Sequence, residues 1–230
     1  MGLINKKKKK KKLGGRSMPG AASSGSSETS NLRPKYVEKK PPCMDGCPGG
    51  TRIRDVLTTI AQTEKKGRTW DESYAQAWHI ITEKNPLPAV CGRVCPHPCE
   101  DSCNRSKKDA PVAINNVERF IGDYGIEKGR KPKLVSEEKR DEKVAIVGAG
   151  PAGLAAAYHM AIRGYPVTVF EAFKKGGGML RYGIPAYRLP RDVLDKEIQR
   201  IADLGVEFKY ETIVGKDLPY DKLSDDYKAV

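Results

Sequence analysis

The run Lys143-Val-Ala-Ile-Val-Gly148-Ala-Gly150-Pro-Ala-Gly153-Leu-Ala-Ala-Ala constrains this chain more than any other feature. Val144 to Val147 read as a buried parallel strand, and the alanine-rich run after Gly153 as the helix packed on it. Gly148 permits the tight turn between them, Gly150 lets the backbone approach a pyrophosphate, and Gly153 allows close packing of helix on strand. The helix N-terminus then faces the phosphates. Gly164 ends the helix, Pro166 to Phe170 supplies a second strand, and Glu171 stands at its end, 18 residues after Gly153. A carboxylate there accepts hydrogen bonds from ribose hydroxyls and disfavours a 2′-phosphate. The segment is expected to be a dinucleotide-binding Rossmann unit whose own site does not take NADP. A merely structural Gly-rich turn would leave the second strand and its terminal carboxylate unexplained.

Upstream, six cysteines fall in two groups: Cys43-Met-Asp-Gly-Cys47-Pro48, and Cys91-Gly-Arg-Val-Cys95-Pro-His-Pro-Cys99-Glu-Asp-Ser-Cys103. No apolar h-region follows the N-terminal lysine run and no stretch reaches the length of a membrane span, so a cytoplasmic protein is expected. In a reducing compartment closely spaced cysteines point to metal or cluster ligands rather than disulfides. Pro96 and Pro98 deny a regular helix there, so Cys91 to Cys103 are expected on an irregular loop. Such a loop can wrap an iron–sulfur cluster, whereas tetrahedral zinc fits six thiols at three-residue spacers poorly. His97, between two prolines, reads as a loop residue beside the cluster.

The surrounding pattern is helical. Ile53, Val56, Leu57 and Ile60 recur at helical spacing. A second helix starts at Thr69, with Asp71 and Glu72 in its first turn, and stops at Asn85-Pro86, while a third carries Ile114, Val117, Phe120 and Ile121. Trp70, Tyr74 and Trp78 are expected in the core.

The formal charge of +13 suggests a nucleic-acid partner until its position is considered: residues 1–40 carry +10 of it, mostly in Lys6 to Lys12. The folded remainder is nearly neutral, which argues against nucleic acid. The division expected is a disordered basic tail (1–40), a helical domain (41–129), a charged linker (130–142) and a nucleotide-binding domain (143–230). The tail could dock on an acidic surface or be a solvated arm. The fold class is mixed: an α-helical iron–sulfur domain followed by an incomplete α/β Rossmann-like FAD-binding domain.

FAD rather than NAD is indicated by Gly176-Gly-Gly178-Met-Leu180-Arg-Tyr-Gly-Ile-Pro185-Ala-Tyr-Arg188. This block and Gly-Arg-Val-Cys95-Pro-His-Pro-Cys99-Glu resemble the flavoprotein electron-transfer subunits typified by the glutamate synthase small subunit, over residues 41–230. The N-terminal part of dihydropyrimidine dehydrogenase is similar, and relatives include a sulfite-reductase-associated flavoprotein branch. The resemblance implies that NAD(P)H reduces FAD and that electrons pass through a [4Fe–4S] cluster to a redox partner enzyme, or the reverse. It implies that Gly148, Gly150, Gly153 and Glu171 hold the ADP part, while Gly178, Leu180 and Arg188 line the flavin side. The nicotinamide domain comes later in the family, so this chain reads as an N-terminal fragment, with Tyr227 to Val230 opening the next strand.

Two-cluster relatives carry a Cys-x2-Cys pair before the position of Cys43; Lys35 and Glu38 stand there instead. Six cysteines fall short of the eight ligands two cubanes need. The resemblance implies one secure cluster on Cys47, Cys95 and Cys99, completed by Cys43, Cys91, Cys103 or Glu118, with a differently ligated second cluster open. It also implies that the counterpart of Cys91 is not a ligand. The competing function is a FAD-binding docking module whose cysteine domain is structural and zinc-type.

Overall fold

Residues 39–230 are described by the computed structural model; the basic tail, with Lys35 and Glu38, lies outside the described residues. The cysteine-bearing half is built of helices α1 (Pro42–Asp45), α2 (Ile53–Ala61), α3 (Trp70–Thr82), α4 (Pro88–Val94), α5 (Pro98–Asp101) and α6 (Ile114–Glu127). Thr69 caps α3 through a reciprocal pair: its hydroxyl accepts from the Glu72 amide and the Glu72 carboxylate accepts from the Thr69 amide. Trp78 is wholly buried among Val56, Ala77, Ile81 and Ile121, which joins α2, α3 and α6 into one small core. Helices α4 and α6 cross closely because glycines meet backbone: a Cβ on Gly92 would lie 2.4 Å from Arg119, and one on Gly122 2.4 Å from Ala89.

Two expectations need correction here. Trp70 is 49% exposed; as the first residue of α3 it sits at the helix end, where Tyr74 rather than the core packs against it. Cys91 and Cys99 are not on a loop: α4 runs to Val94 and carries Cys91, α5 starts at Pro98 and carries Cys99, and since Pro88 and Pro98 each fit the first turn of a helix, only Pro96 interrupts the helical backbone.

The second half contains β1 (Val144–Val147), α7 (Pro151–Ala161), β2 (Val167–Phe170), α8 (Met179–Tyr182), α9 (Arg191–Ala202), β3 (Glu207–Lys209) and α10 (Tyr220–Asp226). The strands form a parallel sheet in the order β1-β2-β3, with Val144 opposite Val167 and Thr168 opposite Glu207. Along the other edge of β1, Ala229 pairs parallel with Val144, and the Ala145 amide donates to its carbonyl at 2.9 Å.

The two halves share apolar packing: Leu87 and Val90 belong to the same core as Leu154, Leu180, Leu189 and Leu194. Residues 39–230 accordingly form one compact unit. The connecting segment follows the end of α7, its Val135 amide donating to the Ile162 carbonyl at 2.7 Å and its Arg140 amide to Gly164 at 2.9 Å. Among the described residues no helix is long and apolar enough to cross a membrane.

Candidate functional site

At the end of β1 the chain turns through Gly148 at φ 98°, a conformation that suits glycine and lets the Gly148 amide donate to Phe170 at 2.7 Å. A Cβ on Gly153 would fall 1.9 Å from the Gly148 carbonyl oxygen, so α7 can approach the turn this closely only without one. At Gly150 nothing lies within 4 Å of such a Cβ. That open place sits at the start of an eleven-residue helix, whose first amides have no partner within the helix and whose dipole favours an anion. Gly178, at φ 49°, packs onto Gly150, where an added Cβ would meet its Cα at 2.8 Å, and the Gly177 amide donates to Ala149 at 2.7 Å. The two glycine-rich motifs thus form one rim.

Glu171 follows β2 and is buried; Oε2 accepts the Ala149 amide at 2.7 Å and Oε1 the Phe173 amide at 3.0 Å. Its carboxylate is thereby fixed against the turn, and each oxygen keeps a lone pair for a ribose hydroxyl. The residues fit the ADP part of a dinucleotide. Leu180 turns its side chain into the core, while its carbonyl is held by Arg191 Nη1 at 3.0 Å. Arg188 stands exposed on the loop before α9.

The six cysteines are all unpaired as disulfides. Cys99, on α5, is buried beside Ile53 and Ile114, with Cys43 and Cys47 packed around it. Its thiol is pushed up to about 12, first by burial, then by the fields of Cys47, Glu100 and Cys95. Cys43 is raised by burial and more weakly by Cys103. Cys103 is lowered by the amides of Val112 and Arg105. His97 adopts a left-handed turn, φ 45°, that brings its amide to 3.3 Å from Cys95 Sγ. Clustered sulfurs that raise one another's pKa, with amides aimed at them, suit a group whose cationic irons stabilise thiolates. Among the described residues no three Cys, His, Asp or Glu side chains converge to hold one metal ion. A tetrahedral zinc demands such convergence on a point, whereas a cubane receives its thiolates at separate corners.

Cys91 has other surroundings. Its Sγ lies 3.5 Å from Asn85 Oδ1, and burial, with Glu118 next in effect, pushes the thiol up to about 12. Glu118 is raised by burial and accepts from Asn85 Nδ2 at 2.8 Å. Asn85 therefore braces both groups, although its sequence signal was that of a helix stop. Arg191, Glu197 and Arg200 on α9 were equally invisible; the only trace was a carboxylate beside the apolar positions Leu194, Ile198 and Ile201.

A nucleotide turn and a helical set of grouped thiols, sharing one core, define an oxidoreductase module that carries a flavin and an iron–sulfur cluster. Residues 36–130 match the family model described as dihydropyrimidine dehydrogenase domain II, 4Fe–4S cluster, and residues 143–216 that of FAD dependent oxidoreductases. The chain is 44% identical over 210 residues to the beta subunit of NADP(+)-dependent formate dehydrogenase from Moorella thermoacetica, covering 82% of this chain and 28% of that one. It is 36% identical over 192 residues to the glutamate synthase [NADPH] small chain of Escherichia coli (strain K12), covering 83% and 39%. Subunit PreT of NAD-dependent dihydropyrimidine dehydrogenase from Salmonella typhimurium is 40% identical over 191 residues, covering 82% and 44%. The chain belongs to this family of FAD and 4Fe–4S electron-transfer flavoproteins, typified by the glutamate synthase small chain. It spans less than half the length of these relatives.

Proposed function

We propose that the chain conducts electrons between FAD and a 4Fe–4S cluster, within a route that joins NAD(P)H to a partner enzyme. The observation that carries this reading is the shared core: Leu87 and Val90, on and beside the cysteine-bearing α4, pack with Leu154 and Leu180 of the flavin half. Both cofactor regions thus belong to one body. A flavin supplies the exchange between two-electron and one-electron chemistry that such a route requires.

The chain's own part is to bind, orient and insulate. Gly148, Gly150, Gly153 and the α7 N-terminus receive the pyrophosphate, Glu171 accepts from the ribose, and Gly178 admits the flavin side. Cys47, Cys95 and Cys99 are the firm ligands, with Cys43, Cys103 or Glu118 completing the set. Cys91, engaged with Asn85 in α4, stays a thiol. Two of the relatives are named as beta subunits or small chains of larger enzymes, which supports a separate catalytic subunit as the partner.

The test is a chain reconstituted anaerobically with iron, sulfide and excess FAD. Photoreduction of the flavin should be followed by a reduced-cluster EPR signal, with iron and sulfide near four per chain by chemical assay. Stoichiometric zinc with a flavin that passes no electrons onward would establish the docking-module reading instead.

A further inference from the structure

Helix α9 touches both cofactor regions. At its start, Arg191 donates to the Leu180 carbonyl at 3.0 Å and to Ile184 at 2.6 Å, gripping the loop that begins with Gly178. Six residues on, a rise of about 9 Å along the axis, Glu197 Oε1 accepts the Ala89 amide at 2.8 Å. Arg200 Nη2 donates to the Pro86 carbonyl at 2.5 Å, pairs with Glu197, and lies 5.3 Å above the Trp78 ring.

Both side chains are buried, Glu197 completely. Burying two charges is costly, and well-packed apolar residues would serve stability as well. What they supply is direction. Pro88 has no amide, so Ala89 offers the first donor of α4, and it is shut away from water. Glu197 meets that donor, Arg200 meets the acceptor at Pro86, and each neutralises the other. Apolar packing alone, such as that of Val90 in the core it shares with Leu194, would let α4 slide; these two hydrogen bonds fix its register.

We propose that Glu197 and Arg200 are a positioning pair that fixes α4, and with it Cys95, relative to the flavin-side loop held at the other end of α9. The pair sets the separation across which electrons pass. The inference rests on the electron-transfer reading above.

Arg200→Met and Glu197→Leu, in the reconstituted chain, should keep FAD and iron. Each should reduce hydrogen-exchange protection of residues 86–95 and slow flavin-to-cluster transfer, each roughly tenfold. Glu197→Gln, which retains the acceptor for Ala89, should recover protection of that segment and most of the rate. If the single variants do not fold, the double variant Glu197→Gln/Arg200→Met, which leaves no buried charge, takes their place and should transfer slowly with both cofactors bound. A wild-type transfer rate in any variant that has lost the Arg200 contact would overturn the proposal, as would unchanged protection of residues 86–95. A wild-type chain that binds both cofactors and passes no electrons would refute the electron-transfer reading, and the exchange data would still judge the pair.

Discussion

The carboxylate of Glu171 accepts the amide of Ala149 at 2.7 Å, across 22 residues of sequence, and so ties the end of β2 to the middle of the glycine turn. One side chain both shapes the turn and faces the ribose position. Glu171→Ala should therefore weaken FAD binding by more than a lost ligand contact alone. A hydrogen bond to a charged group contributes about 1.5–3 kcal/mol, so roughly ten- to hundredfold weaker binding is expected. Glu171→Gln should fall between the two. Titration followed by flavin fluorescence checks this, and equal affinity in Glu171→Ala would remove Glu171 from the site.

Gly150 and Gly153 should separate binding from folding. A methyl at Gly150 enters open space, so Gly150→Ala should leave the melting temperature near that of the parent while blocking the pyrophosphate. At Gly153 the methyl would strike the Gly148 carbonyl, so Gly153→Ala should unfold the flavin half or lower its stability by about 1–3 kcal/mol. Thermal melts beside FAD titrations read both, and the reverse pattern would mean that the turn is not the phosphate site.

Cys47→Ser, Cys95→Ser and Cys99→Ser should each remove most of the iron, because a hydroxyl is a poor ligand where iron in a sulfide cluster takes thiolate. Cys91→Ser should leave iron content and the reduced-cluster EPR signal largely intact. Anaerobic iron and sulfide assays decide it; equal loss in all four variants would make Cys91 a ligand.

In the cluster-free chain, thiol reactivity should order by acidity and access. Cys103 is partly exposed, and amide hydrogen bonds lower its thiol below the ordinary value, which favours the reactive thiolate. Cys91 and Cys99, both pushed up to about 12, are protonated at pH 8 and should label only as pH climbs toward that value. Iodoacetamide labelling mapped by mass spectrometry should show Cys103 modified first and Cys91 and Cys99 last. The opposite order would contradict the burial of Cys91 in α4.

The sequence by itself determined the local elements. Val144–Val147, the three glycines, the alanine-rich α7, Glu171 and the capped α3 were all legible, because turn sterics, helix period and capping depend on neighbours within one element. The helical stripe beginning at Ile53 and the helix beginning at Ile114 were legible for the same reason. The tertiary structure alone decided which thiols face one another, and that Cys91 lies in a helix beside Asn85 while Cys99 is buried against Ile53 and Ile114. It also decided that Trp70 stays outside while Trp78 is enclosed. Nothing in residues 191–202 announced that Glu197 and Arg200 would reach Ala89 and Pro86, more than a hundred positions away. Such contacts depend on how α9 crosses α4, and that crossing is set by an apolar core whose residues run from Leu87 to Val206.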